Sequence, residues 1–318
     1  MEQRDFVVVG TSTGGFEPLR LLVRSLPADF NGIVFIAMHV GAISLLPEIL
    51  SREAKVPVIS PENGTEYKPG HIYVAPPNRH LLIENGHIKL SAGARENRHR
   101  PSVDALFRSA ARQHRSRVVG VVLSGALDDG VAGLLSIKAR HGVAIVQDPE
   151  EAIAAEMPYN AAKHVPIDYA LPAAEIAPLL MKLARGEAGE AWPIGGEETE
   201  TELLAKETAG TPPPPEVAIS CPDCSGALYE MQEGGLANFR CHVGHRFSPA
   251  SLSLAHNEAL ERALWVAIRT MNERIALYSR MRKRESESGE ENVLLRLRES
   301  METAEQDVQL LREIIERI

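Results

Sequence analysis

The pattern of hydrophobic positions changes character twice along this chain. Through residues 1–183, short wholly apolar runs alternate with stretches whose apolar residues recur every three or four positions. The runs Phe6–Val9, Ile33–Met38, His71–Ala75, Val118–Leu123 and Val143–Gln147 predict strands buried on both faces. The periodic stretches Pro18–Ser25, Leu45–Ala54, Val103–Gln113, Val131–Arg140 and Ala174–Arg185 predict amphipathic helices. Strands alternating with helices imply right-handed crossovers and an α/β fold with a doubly wound, mostly parallel sheet over residues 1–185. Leu81–Glu84 and His87–Leu90, separated by Asn85-Gly86, predict a β-hairpin inserted on that plan.

Residues 186–217 lose the pattern. They are rich in Glu, Gly, Thr and Pro and include the run Pro212–Pro215, a composition that cannot bury a core and reads as a linker. A Cys/His cluster follows in 218–250, and residues 251–318 carry two long helical segments. Leu264, Ile268, Met271, Ile275 and Tyr278 keep alternating four- and three-residue spacings. So do Leu294, Leu297, Met301, Ala304, Val308, Leu311, Ile315 and Ile318, with the polar break Glu285–Asn292 between the two sets. Such spacing is the seam of a coiled coil. It predicts an antiparallel helical hairpin first, and homo-oligomerisation through the seam second.

The 318 residues, 44% of them hydrophobic, suffice for one full α/β domain and something smaller. The formal net charge of −9 argues against nucleic acid as partner. No run approaches the ~20 apolar residues a bilayer span needs, and MEQRDFVVVG lacks the parts of a signal peptide. The expectation is a cytoplasmic protein without membrane insertion.

The chemistry concentrates at strand ends. Gly10-Thr11-Ser12-Thr13-Gly14-Gly15 follows the first strand and precedes a helix, and Gly10, Ser12 and Gly14 satisfy G-x-S-x-G. Glycines there permit a sharp turn that lifts a nucleophilic serine out of the sheet. The same turn could instead bind phosphate at a helix N-terminus, although no lysine follows the glycines, which excludes a Walker loop, and there is no G-x-G-x-x-G dinucleotide fingerprint. His39 ends the strand Ile33–Met38, and Ser124-Gly125-Ala126-Leu127-Asp128-Asp129-Gly130 follows Val118–Leu123. Functional groups gather beyond the carboxyl ends of parallel strands. Ser12, His39 and Asp129 together supply nucleophile, base and orienter. Their order, with the nucleophile after the first strand, is not that of the α/β-hydrolases.

These residues resemble the chemotaxis protein-glutamate methylesterase (CheB) catalytic domain. The resemblance rests on the glycine-rich turn, Ala37-Met38-His39, Val74-Ala75-Pro76-Pro77, Arg100-Pro101-Ser102-Val103-Asp104, Leu123-Ser124-Gly125 with Asp129-Gly130, and Gln147-Asp148-Pro149 followed by Met157-Pro158. It implies hydrolysis of glutamate methyl esters on methyl-accepting chemoreceptors, and deamidation of glutamines in the same receptors. It implies a catalytic triad of Ser12, His39 and Asp129 with no catalytic cofactor, Asp129 being preferred to Asp128 because it aligns with the family's Asp-Gly pair. Thr13 is a neighbouring hydroxyl, and backbone N–H groups after Ser12 or His39, or near Ala126, are candidate oxyanion donors. The family usually has Met-Gly or a similar pair where this chain has Ala126-Leu127. The usual N-terminal receiver domain is expected to be absent, making this a stand-alone form, and a C-terminal extension is added. The basic cluster Arg95, Arg98, His99, Arg100 is either a solvated loop or a contact for acidic receptor helices. The competing reading is a non-catalytic or weakly active signalling adaptor whose extension binds partners. The two differ in one expectation: an enzyme keeps turnover without residues 218–318, whereas an adaptor loses partner binding.

All three cysteines fall in one stretch, Cys221-Pro-Asp-Cys224, sixteen residues, then Cys241-His242-Val-Gly-His245. This spacing is zinc-ribbon-like and predicts a structural zinc held by Cys221, Cys224, Cys241 and His245. His245 is favoured over His242 because adjacent residues rarely point the same way. The alternative is a redox-active C-x-x-C or a site that no longer binds metal.

Overall fold

The computed structural model describes residues 3–41, 44–187, 219–233, 235–285 and 291–317. All but two residues of the expected linker, and most of the polar break between the long helices, lie outside the described residues. The chain divides into two units, Met1–Leu252 and Ser253–Ile318.

The first unit is built on a sheet whose central strands are almost wholly apolar. β1 (Phe6–Thr11) lies at the centre of a seven-stranded sheet, flanked by β2 (Ile33–Met38) and β7 (Val118–Val122). On one side β2 is followed by β4 (His71–Val74) and β3 (Val58–Ile59); on the other, β7 is followed by β8 (Val143–Gln147) and β9 (Tyr169–Leu171). Every pairing in this sheet is parallel. Alternation along β1 feeds two cores. Phe6 and Val8 join Phe35, Leu106, Phe107, Leu134 and Met157 on one face. Val7 and Val9 join Leu19, Leu22, Leu50, Ile176 and Leu180 on the other. The helices α1 (Phe16–Ser25), α2 (Leu46–Ser51) and α6 (Ala173–Ala184) therefore cover one face, and α3 (Val103–His114), α4 (Val131–Lys138) and α5 (Glu156–His164) the other. The doubly wound reading holds.

Three elements were not anticipated. β3 and β9 have two and three residues, too few to show a period. α5 contains Pro158, but in its first turn, where a missing N–H costs nothing. The inserted hairpin is β5 (His80–Glu84) with β6 (His87–Ser91), and both Asn85 and Gly86 take positive φ, as a type I′ turn requires.

The Cys/His segment folds as a three-stranded antiparallel sheet, β10 (Leu228–Glu233), β11 (Leu236–Cys241) and β12 (Arg246–Phe247). It belongs to the first unit. α7 (Pro249–Glu285) and α8 (Glu291–Ile315) follow. In the second unit Ile268, Leu297, Ala304 and Val308 of the expected seam are buried, as is Ala255 outside it. Among the described residues no helix is long and apolar enough to cross a membrane.

Candidate active site

With β1 central, its carboxyl edge is the point where the sheet's connections diverge to either side, the favoured position for a site in a parallel sheet. The turn after β1 carries Ser12. Gly14 takes φ +73°, a conformation glycine adopts without strain, and the Gly15 N–H closes the turn on Ser12 O at 3.0 Å. The Ser12 N–H is bonded to Ser124 O at 3.0 Å, which ties the β1 turn to the one after β7. Gly125 is required by proximity: a Cβ there would fall 2.9 Å from Ser12 Cβ and overlap Met157.

His39 extends from β2 with its N–H on Thr11 O at 3.2 Å. Its Nδ1 lies 3.0 Å from Ser12 Oγ and its Nε2 lies 2.8 Å from Asp129 Oδ2. Nε2–H therefore donates to the carboxylate, leaving Nδ1 as acceptor for the serine proton. All three side chains are nearly covered; Ser12 retains 8% exposure.

Asp129 sits at the N-terminus of α3. Its Oδ1 accepts from Ser102 Oγ at 3.0 Å, Asp104 N at 3.0 Å and Asn97 Nδ2 at 3.2 Å; its Oδ2 also accepts from Val103 N at 2.8 Å. Burial pushes this carboxyl up, but the bond and charge of His39 and the N–H groups of Val103 and Asp104 outweigh it and hold it well below the usual carboxylate range. Asp104 does not lie free in the first turn of α3: its Oδ1 accepts from the N–H groups of Gly130 and Gly133. Asp128 points elsewhere. Its Oδ1 accepts from Ser248 Oγ at 2.7 Å, and burial raises its pKa despite that bond.

The basic cluster is neither a bare solvated loop nor a uniform patch. The His99 ring stacks on His39 at 3.5 Å between centroids, 7° from parallel. Burial, then the neighbouring His39, lowers the His99 pKa to about 4, so it covers the catalytic imidazole as a neutral ring. Arg100 clamps Asn78 Oδ1 and the carbonyls of Ala92 and Gly93. His99 and Asn97 escaped sequence reasoning because nothing in local spacing distinguishes them from their charged neighbours. Leu127, where the resembled family carries Gly, has φ +64°. Its N–H donates to Glu156 Oε2 and its carbonyl accepts from Asn160 Nδ2, so α5 holds the strained residue in place.

The ligand atoms of Cys221, Cys224, Cys241 and His245 all lie within 4.8 Å of one another. His245 Nδ1 is 3.4 Å from Cys241 Sγ and 3.7 Å from Cys221 Sγ, and Cys224 Sγ is 3.6 Å from Cys241 Sγ. Those spacings fit the edges of a zinc tetrahedron, about 3.5–3.8 Å for Zn–S of ~2.3 Å and Zn–N of ~2.0 Å. Asp223 Oδ2 lies 3.9 Å from the other ring nitrogen of His245. His242 is exposed and outside the cluster.

The CheB methylesterase family profile matches residues 7–180. A Leptospira interrogans protein named as a candidate protein-glutamate methylesterase/protein-glutamine glutaminase is 39% identical over 180 residues, 56% of this chain and 93% of that one. A Geobacter metallireducens protein-glutamate methylesterase/protein-glutamine glutaminase is 37% identical over 55% of this chain and 52% of its own length. The crystal structure of the Thermotoga maritima CheB methylesterase catalytic domain aligns with TM-score 0.54 and 31% identity, covering 57% of this chain and all of that one. Residues 219–317 lie beyond the matched region, whose strand ends carry Ser12, His39 and Asp129. The parallel sheet, the turn after its central strand and the profile thus agree, and the chain belongs to the CheB methylesterase family.

Proposed function

We propose that this chain is a protein-glutamate methylesterase and protein-glutamine glutaminase working through Ser12, His39 and Asp129. The hydrogen-bonded run Ser12 Oγ–His39–Asp129 in a chain of this family carries the reading. Ser12 Oγ attacks the side-chain ester carbonyl of a methylated receptor glutamate while its proton passes to His39 Nδ1. The tetrahedral intermediate collapses, His39 returns the proton to the departing methoxide, and methanol leaves an acyl-serine. Water then attacks the acyl carbon, giving its proton to His39, and glutamate and free Ser12 are regenerated. For a glutamine substrate the leaving group is ammonia. Asp129 keeps the Nε2 tautomer and stabilises imidazolium. The N–H groups of Ser12 and His39 are already bonded, so the N–H of Thr13, at the tip of the turn, is the proposed oxyanion donor.

The same reading gives Cys221, Cys224, Cys241 and His245 a structural zinc ion. Four protein ligands leave no open position, so its contribution is folding energy for a small sheet. Methanol release from methylated receptor cytoplasmic fragments tests the activity. Wild type releases methanol and Ser12→Ala does not; release unaffected by Ser12→Ala contradicts the reading.

A further inference from the structure

Asn97 is 5% exposed and lies between the triad and the C-terminal sheet. Its Nδ2 donates to Asp129 Oδ1 at 3.2 Å and to Asp104 Oδ2 at 2.9 Å. On its other side Oδ1 accepts from Ser248 N at 3.0 Å and Ser251 Oγ at 3.4 Å. Two carboxylates on one side and donors on the other allow only this orientation of the amide.

The backbone repeats the connection. The Asn97 N–H donates to Arg246 O at 2.9 Å, the Arg246 N–H donates to Arg95 O at 3.2 Å, and Glu96 forms a parallel bridge with Arg246. Arg246 directly follows His245 of the cysteine cluster, and Ser248 caps the start of α7 through Ser251 N at 3.1 Å. Two residues beyond Asn97, His99 stacks on His39. The loop that touches both Asp129 and His39 is thus paired along its edge with the C-terminal sheet.

We propose that Asn97 is a positioning residue of the triad, held by the Arg246–Ser251 segment, so that the Cys/His unit is a structural part of the active site. The mechanism is electrostatic as well as steric. Asn97 supplies one of the donors that spread the Asp129 charge, and a carboxylate with fewer donors holds the proton on His39 more tightly. The expectation that turnover survives removal of residues 218–318 is then replaced by its opposite.

The proposal rests on the triad reading. Its test uses the full-length chain, with methanol release from the methylated receptor fragment and the downfield proton NMR resonance of the His39–Asp129 bond as separate readouts. In Asn97→Ala, kcat falls about 10-fold, the scale of one lost bond to a buried charge, with KM unchanged. The acid limb of kcat/KM moves to higher pH. Asn97→Asp keeps the volume, faces Asp129 and Asp104 with a third carboxylate, and moves the limb further the same way. Ser251→Ala, which leaves Asn97 intact but removes one of the two donors to its Oδ1, shifts the resonance in the direction seen for Asn97→Ala and lowers kcat about 3-fold. Folded Asn97→Ala with wild-type kcat, pH profile and resonance overturns the proposal; if that variant does not fold, an unmoved resonance in Ser251→Ala does so. Absence of Ser12-dependent methanol release in wild type refutes the esterase reading alone, and the resonance still decides the role of Asn97.

Discussion

The carboxyl edge of the parallel sheet and the small C-terminal sheet face the same loop, yet they reach order by different means. The first stands on two cores: Val8, Phe35 and Phe107 on one face, Val9, Leu22 and Ile176 on the other, all fully buried. Its catalytic groups leave the ends of rigid strands and are fixed by turns such as Gly14-Gly15. The second has little interior beyond Leu228, Phe247 and the cluster residues Cys221 and Cys241, and its strand β12 has two residues. Its three thiols and His245 converge closely enough to hold a metal, which in the reading proposed above supplies what the core does not. Burial raises the Cys221 thiol, whereas the Cys241 thiol, also pushed up by burial, is brought below the usual thiol range mainly by the N–H of His245. A large core makes a site robust; a stapled sheet makes whatever leans on it conditional.

The comparison is broken most severely at its strong end. Asp129→Asn leaves a side chain of equal size but an amide that cannot fix the Nε2–H tautomer, and kcat is expected to fall roughly 10⁴-fold, with KM little changed. Steady-state kinetics check this. Next, Phe107→Ala is expected to cost about 3–5 kcal/mol in denaturant unfolding, because a fully buried ring leaves a cavity against Gly133 and the sheet. A chelator sharpens the contrast. It is expected to strip amide-exchange protection from 219–248 while β1, β2 and β7 keep theirs; equal loss in both regions would contradict the difference drawn here.

A smaller effect concerns pH. His99 and His114 have folded pKa values lowered to about 4, chiefly by burial, from 6.5. The unfolded chain binds more protons between those values, so stability is full above about pH 6.5 and declines as pH falls towards 4. His99→Phe keeps the ring against His39 and is expected to flatten that decline, measured as unfolding midpoints at several pH values. Smallest of all, Leu127→Gly relieves the positive φ. It is expected to raise stability by about 0.5–1 kcal/mol, part of the relief being lost to the greater freedom of glycine in the unfolded chain.

The parts legible in the sequence were those with local causes. Val7, Val8 and Val9 make a strand wherever they are put, and Asn85-Gly86 selects its turn without help. Ser12, His39 and Asp129 could be proposed because each follows such a strand, and the sheet brings their side chains together. Asp128 and Asp129 are adjacent and chemically identical; only the placement of α3 and Ser248 separates the carboxylate beside His39 from the one beside the C-terminal sheet. His99 lay hidden among arginines because a ring stack depends on a partner sixty residues away in sequence. For the same reason Asn97 and Ser248, 151 positions apart, carry no mutual signal.

The central claim is that Ser12 is a nucleophile made reactive by His39 Nδ1. The most direct measurement is stoichiometric labelling by a fluorophosphonate, which reacts with an activated serine, followed by peptide mass spectrometry of wild type, His39→Ala and Asp129→Asn. The account predicts one adduct per wild-type chain, on Ser12, formed far more slowly in both variants. Labelling of another residue, or labelling of Ser12 at the same rate without His39, would contradict it.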